Sequence, residues 1–157
     1  MNLNKRLLLI CIAVPLMIGT LAAALTKNSM EVFSFVEKPP FSPPGGLFPV
    51  VWTILYILMG ISSYLILTSD VEFKEIVEAM RLYIYQLLVN FLWPTFFFNF
   101  RWYLFAFFWL VLLWILVFLM MRKFYTMRKS ATLLNIPYIL WLTFAGYLNF
   151  GIWWLNR

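Results

Sequence analysis

The sequence predicts an all-α integral membrane protein, a five-transmembrane-helix bundle forming one domain over residues 1–157. Three observations carry that prediction. The chain is 64% hydrophobic and 11% charged, with a mean hydropathy of +0.89, whereas an ordinary soluble domain carries about 25% charged residues. Too few polar groups remain to cover a water-facing surface. Five stretches, residues 7–25, 48–68, 82–98, 102–121 and 133–155, contain no Asp, Glu, Lys or Arg, and each is near the roughly 20 residues a helical span needs. These runs are nearly continuous, unlike the alternating segments of about 10 residues in a membrane barrel. A helix satisfies its own backbone hydrogen bonds in lipid.

The first stretch follows Lys5 and Arg6 and ends at Ala22-Ala23-Ala24, which resembles a secretory signal with a small-residue cleavage site. Its apolar run exceeds the roughly 7–15 residues of a signal core, so it reads as a retained helix. Gly19 and Ala23 in it form a small-xxx-small pair suited to helix packing. The connection that follows, residues 26–47, is long for a structureless loop. Its apolar first part (residues 30–36) suits a short interfacial helix. Lys38-Pro39-Pro40-Phe41-Ser42-Pro43-Pro44 is stiffened by proline, and Gly45-Gly46 allows a sharp entry into the next span. The connection reads as a lid over the bundle mouth or as a spacer.

Each of three later spans carries a face at helical spacing. Trp52, Tyr56, Met59 or Gly60, and Ser63 share a face of the second; Gln86, Asn90, Trp93, Pro94 and Phe97 share one of the third. Trp141, Ala145, Leu148, Asn149 and Ile152 do so in the fifth. Pro94 lacks an N–H, which predicts a bend beside Asn90. The fourth span shows no such stripe; its Trp102, Trp109 and Trp114 are scattered, and it reads as a lipid-facing or packing helix. Three aromatic faces with a few neutral amides describe an apolar cavity with few donors, the usual form of a small-molecule site. Against that, amides also bond helices together and tryptophan populates the interfacial belts. Gln86 and Asn99 read as helix glue, and Trp102, Trp153 and Trp154 as belt residues. Trp52, Trp93 and Trp141 read as pocket wall.

Composition excludes much. There is no His and a single Cys, Cys11, so a disulfide framework, a Ser–His or Cys–His nucleophile and a His-ligated metal are ruled out, and no metal site is expected. Spans without charge lack the usual carriers for proton relays, ion coupling and carboxylate acid–base catalysis. The net charge of +6 concerns topology rather than nucleic acid. Eight Lys and Arg lie in the N-terminus and the second and fourth connections, against four in the first, third and the C-terminus. The positive-inside rule places the protein in a cell membrane with its N-terminus cytoplasmic and its C-terminus outside.

Four blocks carry a further signal. They are residues 38–44, Pro49-Val50-Val51-Trp52-Thr53-Ile54-Leu55-Tyr56 continuing to Tyr64, Gln86 through Pro94 with Phe97-Phe98, and Pro137-Tyr138-Ile139-Leu140-Trp141 through Asn149-Phe150. In this order on five spans they resemble the translocator protein family, also called the tryptophan-rich sensory protein or peripheral benzodiazepine receptor family, in a bacterial form. The resemblance implies a five-helix bundle, often a homodimer, with a pocket under the first loop. The ligands it implies are porphyrins, sterols and benzodiazepine-type or isoquinoline compounds. It also implies that Trp52, Trp141, Asn90, Trp93, Ala145, Leu148 and Asn149 line the pocket, and Tyr56 shares the face of Trp52. The sterol pattern of animal members needs a Tyr where Phe150 stands, which argues against a sterol. Haem iron is held by His, Cys, Met or Tyr; without His, a metal-free porphyrin such as protoporphyrin IX, stacked on Trp, fits the composition better. Three functions follow: a receptor or sensor for tetrapyrroles and other flat lipophiles, a light- and oxygen-dependent porphyrin-degrading enzyme with Trp52 and Trp141 as radical carriers, or a passive lipophile transporter. No cofactor beyond the ligand itself is implied.

Overall fold

A computed structural model describes residues 4–157. Five long helices run up and down, joined by one short one: α1 Lys5–Thr26, α2 Leu47–Leu67, α3 Phe73–Pro94, α4 Tyr103–Met127, α5 Lys129–Leu133 and α6 Ile136–Leu155. Four of them, all but α3 and α5, are long and apolar enough to cross a membrane by length and composition. α3 falls outside that set because its first turns are charged: it begins nine residues before the predicted span, with Glu72 as cap and Lys74, Glu75, Glu78 and Arg81 in its exposed start. Its apolar part continues instead through a π turn at Thr95–Asn99. Pro94 cannot donate to the helical ladder, and the expected bend takes this form. The predicted third span is thus α-helix up to Pro94 and a π turn beyond it.

α1 packs along α2 and also touches α3; α3 packs on α4, and α4 on α6. The buried face of α4 is Ala106, Leu110, Leu113, Val117, Met120 and Phe124, alternating steps of four and three. That regular seam makes α4 the central packing helix. A helix apolar on every side hides such a face from a reading based on polarity. α1 is closest to α2 at Gly60, where a Cβ would meet Ile12 Cα at 2.5 Å and the Cys11 carbonyl oxygen at 2.7 Å. Gly19 lies under the ring of Tyr56 in the same way. Within one chain the buried row of α1 runs Cys11, Pro15, Ala22, Thr26, so Ala22 packs on the bundle and Ala23 faces outward.

The two ends of the bundle differ. At one end, the Asn4 backbone N–H donates to the Tyr64 hydroxyl at 3.1 Å, closing the start of α1 on the end of α2. There Lys123 pairs with Glu75 and Glu78 at 3.5 and 3.1 Å. At the other end lies the first connection. It is a 3-10 turn over Lys27–Ser34 followed by extended chain to α2. The short interfacial helix expected near residues 30–36 is thus a 3-10 turn displaced a few residues toward α1.

Candidate ligand site between α2 and α6

Helices α2 and α6 are neighbours whose backbones do not pack closely; aromatic side chains fill the seam between them. Trp52 is half-buried, stacks on Tyr56 with centroids 5.5 Å apart, and meets the edge of Tyr138 at 6.2 Å. Trp141, also half-buried, meets the edge of Phe48 at 5.8 Å and lies 5.6 Å from Phe144. Ala145, one turn beyond Trp141, is buried in the same core, and Leu148 is buried too. Stacked and edge-on rings at these separations are favourable pairs, and they leave planar walls. The Trp141 indole N–H is buried with no hydrogen-bond partner among the described residues. Buried donors are rarely left unpaired, so this one is available to an acceptor brought by a ligand.

The neutral amides behave differently from that expectation. The Tyr56 hydroxyl donates to Asn90 Oδ1 at 2.9 Å, Asn90 Nδ2 donates to the Tyr138 oxygen at 2.7 Å, and the Tyr138 hydroxyl donates to Gln86 Oε1 at 2.8 Å. One chain of hydrogen bonds thus joins α2, α3 and α6 across the middle of the bundle. Sequence reading separated Gln86 as glue from Asn90 as pocket wall; both are links of this chain, and the Asn90 carboxamide is engaged at each end. Trp93 and Asn149 pair with each other instead: the indole N–H donates to Asn149 Oδ1 at 3.1 Å, and Asn149 Nδ2 donates to the Tyr103 carbonyl at 2.7 Å. Trp93 also stacks on Phe97 at 5.1 Å. The Trp52, Tyr56 and Asn90 side chains therefore meet directly, while Trp93 and Asn149 form a second junction toward α4. Asn99 acts as glue as expected, donating to the Leu25 carbonyl at 3.2 Å. Trp102 and Trp154 are exposed at helix ends, where belt residues belong.

Several residues of the site escaped the sequence reading. Tyr138 is the centre of the hydrogen-bond chain, and its signal was the buried row Tyr138, Leu142, Ala145, Asn149, Ile152 in steps of four and three. Trp141 lies at the edge of that row, which is why it faces the seam rather than the core. Phe48 and Phe33 were missed because they stand at a helix start and in a loop, where periodicity says nothing. Phe33 packs against Phe48, Phe97 and Phe98 at 6.1, 6.2 and 5.9 Å, and the Lys38 ammonium lies 4.6 Å from its centroid.

The first connection covers this end. Asn156, just past α6, exchanges two hydrogen bonds with the Glu37 backbone: its Oδ1 accepts from the N–H at 3.1 Å and its Nδ2 donates to the carbonyl at 2.9 Å. The Tyr147 hydroxyl donates to the Pro40 carbonyl at 2.9 Å. Pro39 is buried against Gly151, where a Cβ would meet its ring at 2.6 Å. A small space between the 3-10 turn, the π turn and the start of α4, lined by Ser29, Phe33, Phe97, Phe98 and Tyr103, is about 10 Å³, room for a single water at most. A wider groove of about 420 Å³ opens on the outer α4–α6 face. The indole N–H of Trp114, on its wall, is already bonded to Thr143 Oγ1 at 3.0 Å, whereas the Trp141 N–H at the seam is unpaired among the described residues.

A multi-pass helical membrane protein with an aromatic seam under a docked loop is the class that fold and site define. Residues 11–155 match the TspO/MBR family, and the chain belongs to that family. It is 37% identical to the tryptophan-rich protein TspO of Chlorobaculum tepidum over 98% of this chain and 99% of the relative. It is 37% identical to protein CrtK of Rhodobacter capsulatus over 79% and 78%, and 33% identical to the translocator protein of Bos taurus over 91% and 86%.

Proposed function

We propose that this protein is a membrane receptor or sensor that binds tetrapyrroles, protoporphyrin IX among them, and other flat lipophiles between Trp52 and Trp141. The single observation that carries the reading is the α2–α6 seam: two half-buried indoles, no close backbone packing, and an unpaired indole N–H. Such a gap is filled by rings that a planar ligand can replace without breaking a hydrogen bond. Ala145 and Leu148 supply the small and apolar wall, and relatives named a tryptophan-rich sensory protein and a translocator protein agree with such a role. The amides Asn90 and Asn149 support the site from behind rather than touching the ligand. The N-terminus is cytoplasmic and the C-terminus outside, on the eight-to-four Lys and Arg asymmetry; a reporter fused after Arg157 is active outside only. Homodimers are part of the same proposal.

Protoporphyrin titrated into the purified protein quenches tryptophan emission, and free-base porphyrin binds more tightly than haem because the chain has no histidine. Trp52→Phe and Trp141→Phe stay folded and weaken that binding. Unchanged binding in both would remove the seam as the site. Illumination of the complex under oxygen separates the receptor from the enzyme: porphyrin loss over many turnovers with a defined product, abolished by either replacement, establishes catalysis. Quenching without product leaves the receptor.

A further inference from the structure

The groove of about 420 Å³ on the outer face of α4 and α6 is walled by the rings of Phe107, Trp114, Tyr147 and Phe150. Gly146 keeps it open: a Cβ there would meet nothing nearer than Leu110 Cδ2 at 3.9 Å. Its chemistry is the opposite of the seam's. The Trp114 indole N–H donates to Thr143 Oγ1, the Thr143 hydroxyl to the Ile139 carbonyl, and the Tyr147 hydroxyl to the Pro40 carbonyl. Each polar side chain on the wall therefore has its partner already. An occupant gains no hydrogen bond here, so plain hydrocarbon fits as well as any ring system with polar edges.

Length and charge narrow the choice. Along α6 the wall runs from Phe150 to Leu142, about 12 Å at the helical rise. Half of a bilayer's hydrocarbon core is about 15 Å. The groove thus starts near the loop end and stops near mid-membrane, the reach of one acyl chain in one leaflet. Its starting end is cationic: Arg101 stands just before α4 and Arg157 just after α6, so each helix of the wall carries a guanidinium there. Both are exposed, and neither forms an ion pair among the described residues. Arg157 lies 3.5 Å from the centroid of Trp154, whose ring stacks on Phe150 of the wall at 6.3 Å. Guanidinium groups are suited to phosphate oxygens, and indoles at a helix end mark the headgroup level. We propose that the groove holds one acyl chain of an anionic glycerophospholipid, with its phosphate seated on Arg157 and Arg101. The site is independent of the seam and of what binds there.

Native mass spectrometry of the purified protein in detergent, titrated with dioleoyl phosphatidylglycerol or dioleoyl phosphatidylcholine, tests this. The first phosphatidylglycerol binds about tenfold more tightly than phosphatidylcholine. Gly146→Leu fills the groove and weakens that binding about tenfold. Val111→Trp, on the α4 wall, does the same and serves if the first variant does not fold. Arg101→Gln and Arg157→Gln each weaken phosphatidylglycerol about threefold, and the double variant binds the two lipids equally. Single-chain lysophosphatidylglycerol competes, and glycerol phosphate does not. Unchanged binding in both groove variants overturns the site. Equal affinity of the unaltered protein for the two lipids overturns the seating of the phosphate. Displacement of phosphatidylglycerol by equimolar cholesterol, or a changed oligomeric state in Gly146→Leu, overturns the acyl chain in favour of a sterol or a second copy.

Discussion

The two ends of the bundle are held together by different forces. Around Ser62 and Asn135, hydrogen bonds dominate: Ser62 donates to the Ala131 carbonyl at 2.9 Å, and Asn135 Nδ2 donates to Ser62 and to Ala131 at 2.7 and 2.9 Å. Thr132 adds a bond to the Met121 carbonyl. At the loop end, between α2 and α6, the contacts are rings: Phe33, Phe48, Trp52, Trp141 and their neighbours. Directional bonds between buried groups are expensive to leave unmade, so the first end fixes the register of the helices. Ring packing is less directional than a hydrogen bond and leaves no polar group unpaired when it rearranges. The first end is thus held by bonds that are costly to break and the second by contacts that can adapt, and the proposed ligand site lies at the second.

The sharpest way to break this contrast is at the α1–α2 contact. Gly60→Ala puts a methyl against two backbone atoms that cannot turn away, and overpacking of that kind costs about 3 kcal/mol. Thermal unfolding in detergent should show this as the largest loss in the series. Next comes the chain across the middle: Asn90→Leu strands the Tyr56 hydroxyl and removes one donor from Tyr138, which keeps its bond to Gln86, for about 2 kcal/mol and less if the membrane supplies other partners. Its effect on porphyrin affinity is smaller than on stability. Ala145→Thr reverses that order. The added bulk at the seam weakens binding about tenfold, which is 1.4 kcal/mol, and leaves the unfolding midpoint close to that of the parent.

The smallest effect is electrostatic. The Lys123 ammonium, hydrogen-bonded to Glu78, holds that carboxyl below the usual carboxylate range. A lowered carboxyl contributes stability above its ordinary value and loses that contribution as pH falls through the lowered one. Stability should therefore decline slightly with acidification in that window, and Lys123→Met should flatten the decline; the pair is exposed and screened. Salt should reduce the difference further.

Counting apolar residues located five long helices to within a few residues at most ends, four of them long and apolar enough to cross a membrane. It failed where charge enters a helix or a helix is short. α3 begins nine residues earlier with charges of both signs, α4 extends to Met127, and α5 is too short to register. Spacing found the buried faces of α2 and α3, since polar residues marked them. In α6 it chose Trp141 over Tyr138, because tryptophan is the more conspicuous residue while the tyrosine hydroxyl is the one bonded to two side chains of α3. The docking of the first connection on α6 was illegible: Glu37 and Asn156 are 119 positions apart, and a bond from a carboxamide to a backbone amide leaves no pattern in either segment.

Asn149 has a consequence for how the seam can widen. By accepting from Trp93 and donating to Tyr103, it ties α3, the start of α4 and α6 into one body at the loop end. α1 and α2, joined through Gly60 and Gly19, form a second body. Bonds from Tyr56 to Asn90, from Asn99 to the Leu25 carbonyl and from Ser62 to the Ala131 carbonyl connect the two along the length of the bundle. The side chains of Phe48 and Trp141 carry none of these bonds, so they are the contacts between the two bodies that can shift without breaking one.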